Sequence, residues 1–172
     1  KIAGAAALAG KSLEEVAAIA QGFADNMATL AVAASGATNP ATGMEIAQVA
    51  AGCMEVGVGL HGEAGKAKPM ATAEETVGIM LDALLEDLNV LAEEKLMVIV
   101  SGSGATSLME QLIVYRNCYA YLVEKEIEIV ASHVGELMTV QEMAGFEICI
   151  ARMNEELVEY WNAPCRTPYF KK

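Results

Sequence analysis

The polar and apolar positions of the chain change period several times, and each change marks an element. Met54, Val56, Val58 and Leu60 alternate with Glu55, Gly57 and Gly59, the period of two that a strand with one buried face produces. That run ends in a glycine-framed turn, Gly59-Leu-His-Gly-Glu-Ala-Gly65, which carries His61. Upstream, Ser12-Leu-Glu-Glu15 has the spacing of a capping box and predicts an amphipathic helix through about Asn26. Thr29 to Ser35 reads as a buried strand, and Gly36 to Gly43 as a loop that could wall a site. Thr72-Ala-Glu-Glu75 is a second capping box, followed by Val77, Leu81, Leu84, Leu88 and Leu91 in one helical stripe that belongs to the core. Leu96 to Val100 predicts a strand running into Ser101-Gly-Ser-Gly-Ala-Thr106, after which Ser107 and Glu110 form a third capping box. Two more alternating strands are predicted at Glu126 to Val130 and Phe146 to Ile150, and the alanine-rich segment from Lys1 to Gly10 predicts a helix. Alternating helices and strands of this kind imply an α/β domain, a mixed and mainly buried sheet of about five or six strands flanked by helices.

Composition narrows this picture. A chain of 172 residues fits a single domain over 1–172 with a sizeable core. Its start at Lys1, without methionine, is expected of a fragment or a processed product. No apolar run approaches the roughly 20 residues a membrane helix needs, and the first ten residues lack the basic leader of a signal peptide, so the chain is expected to be soluble. The formal net charge of −12 argues against a nucleic acid partner, which would require clustered lysine and arginine to neutralise phosphates. Cys53, Cys118, Cys149 and Cys165 have no metal-type spacing and read as reduced thiols of a cytoplasmic protein.

The candidate chemistry is sparse. His61 stands between glycines at a strand end, where little bulk keeps a small ligand from the imidazole and the neighbouring N–H groups. A histidine in a loop can equally be a solvated side chain. His133 follows a strand with no such frame and reads as structural. The turn from Ser101 to Thr106 meets a helix N-terminus, which can bind anions in principle, but it lacks the lysine of a nucleotide P-loop and is expected to be a structural turn.

Gly57 through Gly65 closely resembles the Gly-x-Gly-x-His-Gly-Glu-(Pro/Ala)-Gly segment of dihydroxyacetone kinases, in the second domain of their substrate-binding K subunit. Other segments follow in the family's order. Gly104, Ala105, Thr106, Leu108 and Glu110 match a Gly-Ala-Thr-Pro-Leu-x-Glu stretch, with Ser101 and Gly102 where asparagine and a second small or polar residue are usual. Gly135, Thr139, Met143 and Gly145 match a Gly-x-x-x-Thr-Ser-Leu-x-Met-x-Gly segment, with Val140 and Gln141 in place of serine and leucine. The tail from Trp161 to Pro168 is similar to a Trp-Asp-Ala-Pro ending, with Asn162 for the aspartate.

The resemblance implies that His61 bonds covalently to the carbonyl of dihydroxyacetone as a hemiaminal, with Gly59, Gly62 and Glu63 around the substrate. Glu63 then orients the imidazole, or is simply a solvated carboxylate. It implies a missing N-terminal domain that completes the pocket, and no cofactor on this chain: ADP or ATP with Mg sits on a partner kinase subunit, served in bacterial members by the sugar phosphotransferase system. A homodimer is expected. Two rivals stand beside a kinase: a non-catalytic paralogue that binds dihydroxyacetone and co-activates a transcription regulator, and a ligand-free interaction domain.

Overall fold

A computed structural model of the chain describes residues 1–59 and 63–172. The elements in order are α1 (Ile2–Leu8), α2 (Leu13–Asp25), β1 (Met27–Ala33), β2 (Ala37–Thr38), β3 (Glu45–Ile46), β4 (Cys53–Val56), β5 (Lys66–Pro69), α3 (Ala73–Leu88), β6 (Lys95–Gly102), α4 (Leu108–Glu124), β7 (Glu128–Val134), β8 (Gly145–Arg152) and α5 (Glu155–Asn162).

All three capping boxes form. Ser12, Thr72 and Ser107 accept the amides of Glu15, Glu75 and Glu110 at 3.2, 3.2 and 3.4 Å. Each glutamate returns a carboxylate oxygen to the cap N–H, at 2.7, 2.9 and 2.8 Å respectively. These reciprocal bonds satisfy amides that a helix start leaves without partners. At its other end α3 stops at Asn89, which turns into the left-handed region at φ 52°. Leu91, expected in the helical stripe, therefore falls beyond the helix and is 69% exposed. Arg152 closes this corner: its Nη2 donates to the carbonyls of Leu88 and Asn89 at 2.7 and 2.9 Å, while its Nε pairs with Glu94 at 2.6 Å.

The principal sheet has six strands in the order β5-β4-β1-β8-β6-β7. Only β6 and β7 are parallel, joined by a crossover through α4 as parallel pairing requires. β8 sits at the centre, antiparallel to β1 on one side and β6 on the other. The strand expected from Met54 to Leu60 leaves the sheet at Gly57, whose φ of 89° breaks the extended run. β1 begins two residues earlier than its pattern suggests, and β7 starts only after the positive-φ turn at Glu126.

One sheet face is covered by α3 and α4. Met54, Met80, Leu81, Val98, Ile148 and Ile150 are fully buried there or nearly so, each contributing about 1.5–3 kcal/mol of transfer free energy. On the opposite face, α1, α2 and α5 pack with Met97, Ala131 and Ala151 and cover only one end of the strands. The other end of that face is left to loops, and it holds the cavity described next.

Candidate functional site

The uncovered end of the sheet opens into a cavity of about 470 Å³, within the size range of small-molecule sites. Its floor comes from alternate residues of neighbouring strands: Thr29 and Ala31 of β1, Glu55 of β4 and Glu147 of β8. In register, Ala31 lies opposite Glu147, which lies opposite Ser101 of β6. The walls are Ile46 of the small β2–β3 hairpin with Ala47 and Gln48 after it, Val58, Gly59, Glu63 and Ala64, and Ser103, Met138, Val140 and Met143. The wall foreseen at residues 36 to 43 is thus supplied by Ile46, the last residue of β3, and the two residues that follow it.

Two of the four residues expected around the substrate line this cavity, Gly59 and Glu63, on the two sides of the glycine-framed turn. His61 and Gly62, with Leu60, lie outside the described residues. The Gly59 N–H donates to the Glu63 carbonyl at 2.9 Å, closing the base of the turn. A Cβ on Gly59 would sit 2.1 Å from a Glu63 carboxylate oxygen and 2.8 Å from its Cβ, so the Glu63 side chain folds over a position that only glycine leaves open. Gly65 meets a similar restriction against the Val56 carbonyl at 2.9 Å.

The second glycine-rich turn, 101–106, directs most of its polar groups to residues 137–145, and its Ser103 also lines the cavity. Ser103 and Ala105 donate their amides to the carbonyls of Gly145 and Met143, at 3.0 and 3.1 Å, and Ser103 accepts from the Val140 amide at 2.8 Å. Buried Ser101 accepts from the amides of Leu137 and Met138 at 3.1 and 3.3 Å. Thr106 both donates to and accepts from the backbone of Gly145, at 2.6 and 3.1 Å. Gly104, at φ 126°, has the Gln141 carbonyl 1.9 Å from where a Cβ would stand. The segment is a structural clasp that holds residues 135–145 against β6, and through them the Met138, Val140 and Met143 wall. Gln111, almost fully buried, adds bonds to the Thr106 carbonyl at 2.8 Å and to Glu136.

Among the described residues three carboxylates, Glu55, Glu63 and Glu147, line the cavity, and no lysine or arginine does. Burial pushes the Glu147 carboxyl above the ordinary carboxylate range, against the opposing pull of the Ser101 hydroxyl. His133 packs against Phe170 with ring centroids 5.2 Å apart, and burial, aided by Lys172, lowers its pKa. Among the described residues no group of three or more His, Cys, Asp or Glu side chains is placed to hold a metal ion. No helix of the described residues is long and apolar enough to cross a membrane. The four cysteines are free thiols.

Sequence reasoning missed Glu147. Its only signal was a charged residue inside an apolar strand, and the alternation Phe146-Glu-Ile-Cys-Ile150 assigns such a residue to a solvated face.

The Dak1 domain family matches residues 1–169. A PTS-dependent dihydroxyacetone kinase 2, dihydroxyacetone-binding subunit DhaK, of Listeria innocua is 36% identical over 172 residues, covering 99% of this chain and 52% of its own length. An L-erythrulose kinase of Pectobacterium atrosepticum is 34% identical, covering 100% of this chain and 30% of that protein. Among solved structures, a dihydroxyacetone kinase operon co-activator superimposes with a TM-score of 0.89 at 25% identity, over 95% of this chain and 51% of the other. The chain thus spans about half the length, or less, of the curated relatives it matches.

Proposed function

The chain belongs to the Dak1 domain family, and from that premise we propose that it is the second half of the substrate-binding part of a dihydroxyacetone kinase, with His61 as the covalent anchor of the substrate. The observation that supports this reading best is the cavity beside the glycine-framed turn, flanked by Gly59 and Glu63 and, among the described residues, lined by no lysine or arginine. A small neutral ketone offers little contact area, and a covalent bond holds it where packing alone would not.

In the proposed step, an unprotonated imidazole nitrogen of His61 adds to the carbonyl carbon as the C=O π bond opens onto oxygen. The imidazolium so formed gives up the proton of its other nitrogen and the alkoxide takes one up, leaving a neutral hemiaminal. Glu63, across the turn from Gly59, is placed in sequence to assist that transfer or to orient the ring. An imidazole of ordinary pKa, about 6.5, is protonated in acid and cannot attack, so the adduct fades as the pH falls. The terminal hydroxyl of the held ketone is then presented to a phosphoryl donor, positioning supplying most of the rate. ATP or ADP with Mg belongs to a partner subunit or domain, and an N-terminal half of the same protein completes the pocket. The whole protein is proposed to be a cytoplasmic homodimer, in keeping with the free thiols.

A second reading is favoured by the close superposition on an operon co-activator: a protein that binds the ketone and regulates transcription without turnover. Mixing the full-length protein with its nucleotide-bearing partner and following phosphorylated ketose by phosphorus NMR separates the two. A kinase accumulates the ester in many-fold excess over protein. Ketone binding with no ester above the no-enzyme control overturns the kinase reading in favour of the regulator.

A further inference from the structure

Helix α4 presents an apolar stripe to solvent. Leu108, Leu112, Tyr119 and Val123 fall within a sector of about 60° at the helical repeat, and Met109 and Ile113 widen it on one side. These six side chains are 38–70% exposed. Core packing does not account for them, because α4 meets α3 and the sheet through Val114, Cys118 and Leu122 on its other side. The six present on the order of 500 Å² of surface, from large side chains that offer roughly 150–250 Å² each when fully open, and patches of that size mark interaction sites. The stripe is also free of anionic charge. From Gln111 to Val123 there is no Asp or Glu, and the one charge, Arg116, lies at the margin of the stripe, in a chain of formal net charge −12. Two such chains repel over most of their surface and can meet where carboxylates are absent.

The spacing identifies the occupant. Leu108 and Val123 lie equally far from the midpoint between Tyr115 and Arg116, and so do Leu112 and Tyr119. A two-fold axis at that midpoint, with two copies of α4 antiparallel, sets Leu108 opposite Val123 and Leu112 opposite Tyr119 of the second copy, each pair occurring twice, as an isologous contact requires. The two patches together bury about 1,000 Å², enough for a specific interface. Strand addition at the neighbouring sheet edge is disfavoured: a register slip leaves Val130 of β7 without a partner on β6, a bulge of the kind that blunts an edge. The contact therefore falls to the helix. α4 covers the sheet face opposite the cavity, so two copies joined there leave both cavities open to the segment proposed to complete them. We propose that the stripe on α4 is the homodimer interface of this protein, its partner being the same stripe of a second copy. This deepens the homodimer of the proposed reading by naming its surface, and it uses nothing about His61.

The test is sedimentation velocity of the full-length protein over a dilution series, in wild type, in the double variant Leu112→Glu/Tyr119→Glu, and in Leu13→Glu, which charges an exposed leucine on α2. Wild type and Leu13→Glu sediment as dimers. The double variant sets four like charges in the seam and sediments as a monomer, its dissociation constant raised about a hundredfold or more. Cross-linking fixes the register, and it stands alone if the double variant does not fold. In a background whose reactive thiols are replaced by serine, Leu108→Cys and Val123→Cys proteins mixed and allowed to exchange subunits are joined by a short bismaleimide. Leu108→Cys alone is not, because its two copies lie about 22 Å apart along the helix. A monomeric wild type, a dimer that the double variant leaves intact, a mixture that does not join, or Leu108→Cys joining to itself overturns the proposal, and the stripe is then covered by the rest of the chain or by another protein. Carbonyl-carbon NMR of bound dihydroxyacetone reads His61 separately: adduct without dimer refutes only the interface, and dimer without adduct refutes only the covalent anchor.

Discussion

Replacing Ser101 by alanine tests how the clasp shapes the cavity. The hydroxyl oxygen is buried and accepts two loop amides, from Leu137 at 3.1 Å and Met138 at 3.3 Å. Each such bond contributes about 1 kcal/mol net, and an amide left without a partner in a part-buried site costs somewhat more. Loss of the pair, with loss of the hydroxyl that faces Glu147, totals about 2–3 kcal/mol. For a domain of this size that lowers Tm by about 5–10 °C. The effect should also be local. In amide hydrogen exchange, Leu137 and Met138 lose protection, while the amides of β6 and β8 away from the clasp change only as far as global stability falls. Urea unfolding gives the free energy and exchange gives the location. A loss below about 0.5 kcal/mol, with both amides as protected as in the wild type, would refute the argument that Ser101 anchors residues 135–145.

Glu147→Gln should stabilise the fold at neutral pH, because burial raises the folded-state carboxyl pKa and so penalises the ionised form. Below the ordinary value of 4.5 both states bind the proton and the gain vanishes; it grows as the pH rises through the folded-state pKa. Urea midpoints at pH 4 and pH 7.5 check this, and a gain as large at pH 4 would contradict it. The thiols should divide by burial. Cys118, fully buried and with its pKa pushed up to about 12, and buried Cys149 stay silent to a thiol reagent at pH 8 until the protein unfolds, while partly exposed Cys53 and Cys165 react in the native state. Rapid labelling of all four in native buffer would count against the packing of α4 and β8.

The parts of this fold that were legible in the sequence are those fixed locally. The capping boxes at Ser12, Thr72 and Ser107 start helices where expected because the bonds lie within four residues. The core of β6, Leu96 to Val100, is a continuous apolar run whose burial on both faces is visible in composition. Errors arose where one residue's backbone conformation overrides a pattern. Asn89 ends α3 before Leu91, and Gly57 ends β4 before the alternation through Leu60 is complete. The edge strand β5, Lys66-Ala-Lys-Pro69, is polar and short, as exposed edges tend to be, and carries no periodic signal. The cavity was illegible for a different reason. Thr29, Gln48, Glu55, Val140 and Glu147 come from separate segments that the sheet order β4-β1-β8 brings together, and strand order is not chain order. The family motif pointed to the turn that borders the cavity, while the floor beneath it depended on which strands became central.

The central claim is covalent capture of a ketone by His61, and carbon NMR tests it most directly. The full-length protein is mixed with dihydroxyacetone labelled at the carbonyl carbon. The account predicts a bound resonance moved from the ketone region to the tetrahedral region, present at pH 7.5, fading in acid and absent in His61→Ala. A bound ligand whose carbonyl carbon keeps its ketone shift, or a tetrahedral signal that survives in His61→Ala, would contradict it.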